Sequence, residues 1–289
     1  MASETKTEAP AAQAEAAKPE TFQPSPIQMK DLIEAGLHFG HQTRRWNPKM
    51  RPMIYGIRAG VHIIDLQQTI RLFRRAYGFV VETVARGGHI MIVGTKRQAQ
   101  DIVAAEAQRA KMFHVTTRWI GGLLTNYKTV SLSLETLNRL NARFAEEGGF
   151  KELKKKEVLR LAKEQQRLEK NFGGVKAMRQ LPAAVFVIDS GHEATAIREA
   201  NKMSIPVIAL VDTNCDPDPI DYIIPGNDDA IKSIQYVTAR IADACLEGLH
   251  KRMEVMGRYA TETEGLVSPA PKEKAGAGPT VEYAQRKSG

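Results

Sequence analysis

Six short apolar runs, alternating with amphipathic stretches, narrow what this chain can fold into more than any other feature. They are VHIIDL (61–66), HIMIVG (89–94), FHVTT (113–117), AAVFVID (183–189), PVIALVD (206–212) and the shorter DYIIP (221–225). Runs that are apolar at nearly every position belong to strands buried on both faces, and such strands occur in parallel sheets covered by helices. The stretches between them have helical spacing. After the first run, Ile70, Phe73, Tyr77, Val80, Val81 and Val84 recur on one face. TKRQAQDIVAAEAQRA, HEATAIREANKM and the long DDAIKSIQYVTARIADACLEGLHKRM read as further helices. The alternation predicts an α/β fold with a mainly parallel sheet.

One segment interrupts it. Between 127 and 172 no strand signal appears; Leu134, Leu137, Leu140 and Phe144 mark one helix and Leu153, Leu161 and Leu168 another, with Gly148-Gly149 between them. Two helices around a glycine turn predict an antiparallel hairpin inserted between the third and fourth strands. Residues 1–26 and 259–289 have too few large apolar side chains to offset the entropy of ordering and are expected to be disordered. The α/β domain is therefore assigned to 27–126 and 173–258, with the hairpin at 127–172.

Charge directs the search for a partner. The formal net charge of +8 favours a polyanion. Between 41 and 75 eight basic residues (Arg44, Arg45, Lys49, Arg51, Arg58, Arg71, Arg74, Arg75) face one acid, Asp65, with Trp46 and Tyr55 interleaved. Arginine matches phosphate bidentately and aromatics stack on bases, so this Pro-braced loop reads as an RNA surface. The second hairpin helix holds ten basic and four acidic residues between 151 and 179, Lys154, Lys155 and Lys156 among them. Such a helix is either a solvated face of Lys–Glu pairs or a phosphate-gripping arm. Lys96 and Arg97 in GTKRQAQ fall where the following helix is expected to begin. There they oppose the helix dipole and call for an anion. In TTRWIGGLLTN, Gly121-Gly122 allows close backbone approach beside Arg118, and Asn126 is placed to cap the next helix.

Other chemistries are weaker. GTKR has one glycine and matches neither phosphate-loop fingerprint. His38 and His41 stand three apart like metal ligands, but Gly40 lies between them and no further ligand completes a set nearby, so they are assigned to packing where a helix ends at Gly40. The run from 212 to 229 holds six aspartates and no basic residue. Asp189 and Asp212 end parallel strands, the edge where open α/β sheets bind ligands. A Mg²⁺-dependent phosphoryl-transfer enzyme built on those two is the rival reading; turn chemistry, with Asp228 capping the last helix, is the simpler one. Cys215 and Cys245 are too far apart to form a redox or zinc motif. No run reaches the ~18 apolar residues that suggest a membrane span, and the N-terminus lacks a signal-peptide core, which points to the cytoplasm.

Four stretches in order, IEAGLHFGHQTRRWNPKM, GTKRQAQ, RWIGGLLTN and DTNCDPDPIDYIIPGNDDA, resemble the bacterial family of the second protein of the small ribosomal subunit, S-two. The resemblance covers residues 29 to about 257. It implies a flavodoxin-like three-layer α/β/α body with an inserted antiparallel coiled-coil hairpin. It also implies a non-catalytic role in translation, contact with small-subunit rRNA, neighbouring small-subunit proteins as partners and a docking surface for ribosomal protein S-one. No cofactor, metal, membrane or small-molecule substrate is implied. The residues expected to meet RNA are Arg44, Arg45, Trp46, Lys49, Arg51, Lys96, Arg97, Arg118, Lys154, Lys155 and Lys156. A free regulatory RNA-binding module is the third reading.

Overall fold

The computed structural model describes residues 26–146 and 154–266. In chain order it contains α1 (Met29–Glu34), β1 (Phe39–Gln42), β2 (Ile54–Arg58), β3 (Val61–Ile64), α2 (Leu66–Ala85), β4 (Ile90–Val93), α3 (Gln100–Arg109), β5 (Phe113–Val115), α4 (Tyr127–Ala145), α5 (Lys155–Phe172), β6 (Ala184–Ile188), α6 (Ala194–Lys202), β7 (Val207–Val211), β8 (Tyr222–Pro225) and α7 (Ile231–Leu266). Five strands form an all-parallel sheet in the order β5-β4-β6-β7-β8. In order of appearance that is 2-1-3-4-5, the flavodoxin-like winding.

The sheet is the middle of three layers. Alternate residues along a strand point to opposite faces, and β6 displays this. Ala184, Phe186 and Ile188 join a core with Phe73 and Val80 of α2, Val103 of α3 and Ile234, Val237 and Ile241 of α7. Val185 and Val187 face the other way, into a core with Leu134 and Leu137 of α4 and Ile197 and Ala200 of α6. All five β6 side chains are buried, as are all of β4 and β7. This is why the runs lack polar alternation.

Three expectations change. The run at 61–66 does not enter the parallel sheet: Val61–Ile64 is the middle strand of a separate antiparallel sheet, β1-β3-β2. A run of four cannot reveal whether its partners are parallel or antiparallel. The first helix ends before Gly40: Gly36, at φ 75°, closes α1 with bonds from Gly36 N–H to Ile33 O and from Leu37 N–H to Leu32 O, a Schellman cap. Gly40 then lies in β1. Finally α7 runs to Leu266, eight residues into the segment assigned to the tail; 1–25 and 267–289 lie outside the described residues. The chain divides into two units, Met1–Arg252 and Met253–Gly289.

Helices α4 and α5 pack on each other. Asn141 donates to Glu169 and accepts from Gln165, and Asn138 donates to the carbonyl of Lys176. Later α4 residues meet earlier α5 residues, so the two run antiparallel. The Gly148-Gly149 turn lies outside the described residues.

Phe186 is fully buried at the centre of the sheet. Phe186→Ala is expected to cost ~3–5 kcal/mol through lost transfer energy and a cavity. Denaturant unfolding should show a lowered midpoint at unchanged m-value; a loss under 1 kcal/mol would place the residue outside the main core.

Candidate nucleic-acid interface

The basic loop that follows β1 is not free in space. Gly40 lies against Thr213, past the end of β7, so closely that a Cβ on it would come within 2.6 Å of the threonine methyl. The His41 N–H donates to Thr213 Oγ1 at 2.9 Å, and the Asn47 N–H to the Thr213 carbonyl at 2.7 Å. Between these anchors the chain makes a 3₁₀ turn at Thr43–Arg45, and after the second it makes another at Pro48–Met53. Asn47 opens the second turn, its side chain accepting from the Lys49 N–H at 3.0 Å.

His41 is tied to the aspartates the sequence separates from it by more than 170 positions. Its Nδ1 is 2.9 Å from Asp212 and its Nε2 3.3 Å from Asp229. The hydrogen bond to Asp212 holds its pKa above the ordinary histidine value, against the opposing effect of burial. Lys96 lies beside this pair. Its ammonium contacts Asp189 at 3.3 Å, Asp228 at 3.1 Å and Asp229, and donates to the Asp228 carbonyl at 2.9 Å. Burial disfavours the charge on Lys96, but Asp229 and Asp228 outweigh it and raise its pKa.

Four carboxylates (Asp189, Asp212, Asp228, Asp229) thus share the Lys96 ammonium and the His41 imidazole. The most buried carries the consequence: Asp228 is 1% exposed, and burial with Asp189 and Asp212 nearby pushes its pKa up to about 7, the Lys96 charge notwithstanding. Its Oδ2 has no hydrogen-bond partner among the described residues. Ligand atoms of His41, Asp228 and Asp229, and separately of Asp189, Cys215 and Asp228, lie within 4.8 Å of one another, so either set could hold a divalent ion. Burial pushes the Cys215 thiol up to about 11, away from nucleophilic use.

These contacts sort the expected RNA-facing residues. Lys96 is neutralised by Asp189, Asp228 and Asp229, and Lys49 by Asp216 and Asp218. Both expected phosphate contacts thus pair with the protein's own carboxylates, because the acidic 212–229 run and Asp189 fold onto them. Lys96 and Arg97 also precede α3, which begins at Gln100, so they do not oppose its dipole from within the first turn. Trp46 is half-buried with its ring centroid 5.0 Å from that of His62, so one face is taken by the protein. Arg44, Arg45, Arg51, Arg97 and Arg118 are exposed; Arg44 Nε donates to Gln42. Lys154, Lys155 and Lys156 are exposed as well, at the start of α5. Phe172, at the other end of α5, is anchored in the core. At ~1.5 Å per residue the lysines stand ~25 Å along the helix from that anchor, on a patch of their own.

Sequence reasoning missed Glu199. This buried carboxylate accepts from Trp119 Nε1 (3.0 Å), Gly122 N–H (2.8 Å), Leu124 N–H (3.1 Å), and the Thr125 N–H and hydroxyl (3.3 and 3.2 Å). Burial raises its pKa, yet the bonds from Trp119 and the backbone outweigh this and the net shift is downward. Gly121-Gly122 is therefore a loop wrapped around an anion of the protein itself, which holds the exposed Arg118 and the root of α4. The available signal was an acid on the apolar face of α6, three residues after Ala196. Two expected caps also differ. Asn126 makes no side-chain cap bond to α4 and instead accepts from the Thr129 hydroxyl. Asn227, in place of Asp228, accepts the Asp229 and Ala230 N–H groups before α7.

Comparison with known proteins gives one consistent result. A family described as Ribosomal protein S2 matches residues 32–248. The chain is 58% identical over 242 residues to the small ribosomal subunit protein uS2 of Sorangium cellulosum, covering 84% of this chain and 86% of that one. It is 53% identical to the protein of the same name from Maridesulfovibrio salexigens, covering 82% and 92%. It is 53% identical to that from Geotalea uraniireducens, covering 84% and 97%.

The cluster carries a pH signature. An aspartate whose folded pKa is about 7 binds more protons folded than unfolded between pH ~4 and ~7, so its contribution falls as pH rises through that window. The raised pKa of His41 acts in the same direction: its stabilisation is full below the unfolded value of ~6.5 and fades as pH rises through the folded one. Thermal melts from pH 5 to 8 should therefore show a declining Tm, and Asp228→Asn should flatten the decline; an unaltered slope in the variant would refute the assignment. Separately, Glu199→Ala strands several buried donors at ~1–3 kcal/mol each. It should destabilise by at least ~3 kcal/mol in chemical denaturation, whereas a surface acid would cost under ~0.5 kcal/mol.

Proposed function

The chain belongs to the ribosomal protein S2 family, and we propose that it serves as a structural, non-catalytic constituent of the small ribosomal subunit that binds rRNA through exposed cations on a folded loop. The observation that carries this reading is the division of labour among the basic residues. Lys49 and Lys96 meet the protein's own carboxylates, while Arg44, Arg45 and Arg51 on the same framework remain exposed. A loop pinned at Gly40, His41 and Asn47 presents guanidinium groups with little conformational entropy left to lose, which favours phosphate binding. Arg97, Arg118 and the arm lysines Lys154, Lys155 and Lys156 extend the basic surface; α4 and α5 act as the projecting arm. Specificity in this reading comes from assembled RNA shape rather than base edges.

The docking of ribosomal protein S-one is assigned to an apolar face near the N-terminus. Ile33, Phe39 and Tyr55 are exposed, Ile33, His38, Tyr55 and Ile63 line a cleft of about 360 Å³, and the Phe39 ring stands 4.0 Å from that of His38. Exposed apolar side chains grouped in this way mark protein-contact surfaces more often than solvent faces.

Sedimentation of a cell extract through a sucrose gradient tests the first claim: the protein should travel with the small subunit, and recovery only at the top would sink it. An Arg44/Arg45/Arg51→Ala variant should lose subunit occupancy. Its salt slope for RNA binding should fall by about one unit per lost phosphate contact, with Tm little changed.

A further inference from the structure

A second basic site lies at the root of the arm, away from the loop. Between β5, the edge strand of the main sheet, and the turn that leaves α5 is a cleft of about 500 Å³, lined in part by Lys111, His114, Lys170 and Lys176. Its one carboxylate, Glu169, is bound by Lys176 at 3.0 Å. Lys111 and Lys170 have no ion-pair partner among the described residues, so the cleft keeps an unmatched positive charge.

Its construction is specific. The turn at Gly173–Val175 presses onto β5 so closely that a Cβ on Gly174 would lie 2.2 Å from the His114 carbonyl and 2.6 Å from its ring. One wall is thus backbone with no side chain between. Lys111 occupies the residue after the C-cap of α3 at φ 55°, a left-handed position glycine adopts more easily. A lysine there accepts backbone strain, on the order of 1 kcal/mol, and stands in the lining of the cleft. A cation suits a helix C-terminus in any case, and Lys170, at the end of α5, lines the same cleft. His114 Nδ1 is shielded from solvent and has no hydrogen-bond partner among the described residues. The cleft is of the size that takes a nucleotide-sized group.

We propose that this cleft receives a phosphate of the RNA backbone, held by Lys111 and Lys170, with the His114 ring in the wall between β5 and the Gly173–Val175 turn as a reporter of occupancy. The inference rests on the RNA-binding reading above and adds a contact at the β5 edge of the sheet, lined by none of the loop's residues. The sheet edge and the arm's root would then be clamped to one RNA segment.

The test uses the full-length protein carrying Lys111→Gly and Lys170→Ala. Glycine suits the left-handed position, so folding is not put at risk at residue 111. Binding to small-subunit RNA should weaken several-fold at ~0.1 M salt, and the salt slope should fall by one to two units. Tm should hold. In a parallel arm, the His114 imidazole resonance is followed by NMR during titration of wild type with RNA or with inorganic phosphate. A shift with RNA supports the proposal; saturation by inorganic phosphate with no response to RNA overturns it in favour of a free-anion site. If the wild type binds RNA and the loop variant loses binding while the cleft variant matches wild type in affinity and slope, this inference alone fails. If the wild type binds no RNA, both fall.

Discussion

One ammonium group, that of Lys96, joins two acidic segments that would otherwise meet as like charges. Asp189 follows β6, Asp228 and Asp229 precede α7, and Lys96 follows β4. With only 17% of the Lys96 side chain and 1% of Asp228 exposed, the group is largely out of water, where an unpaired charge is expensive. The loop after β1 inherits its position from this cluster through His41, and the exposed arginines inherit theirs from the loop. Exposed arginines, loop and sheet edge are one mechanical unit held by largely buried electrostatics.

The place is telling. In doubly wound sheets the crevice for a ligand opens at the carboxyl ends of the strands where the winding reverses, here between β4 and β6. Thr95 and Lys96 after β4 and Asp189 and Glu193 after β6 stand there and bond to one another. The chain fills the position with its own side chains. A fold that elsewhere hosts nucleotides becomes a rigid support, which agrees with a family that assembles rather than catalyses.

The fold was largely legible. Strands buried on both faces announce themselves as continuous apolar runs, and all five of the parallel sheet were visible. What was not legible follows from physics that local patterns do not carry. Val61–Ile64 looks like a buried strand in either sheet, since four residues specify burial but not partner direction. The charge of Lys49 was counted with the basic loop and those of Asp216 and Asp218 with the acidic run, though they pair in the fold. Counts along a sequence add, whereas electrostatic energy depends on which residues meet in space. Glu199 was invisible for a related reason: its ligands are mostly backbone N–H groups, and those have no signature in the sequence. Arg44, Arg45 and Arg51 are exposed, as polar loop residues usually are, so for them the local composition already indicated a surface position.

The arm's position in the chain has a consequence for how the protein is made. Strands β4 and β6 are neighbours at the sheet's centre, yet α3, β5 and both arm helices are translated between them. Until β6 leaves the ribosome, the wholly apolar β4 has only the three-residue β5 to pair with. At ~5–20 residues per second that interval lasts several seconds. During it α4 and α5 can pair with each other, while the apolar side chains at their root, Leu134, Leu137 and Phe172, still lack Val185 and Val187 of β6. The nascent chain therefore passes through a stage with paired arm helices over an open core, and that stage is where its exposure to chaperones and to misassembly is concentrated.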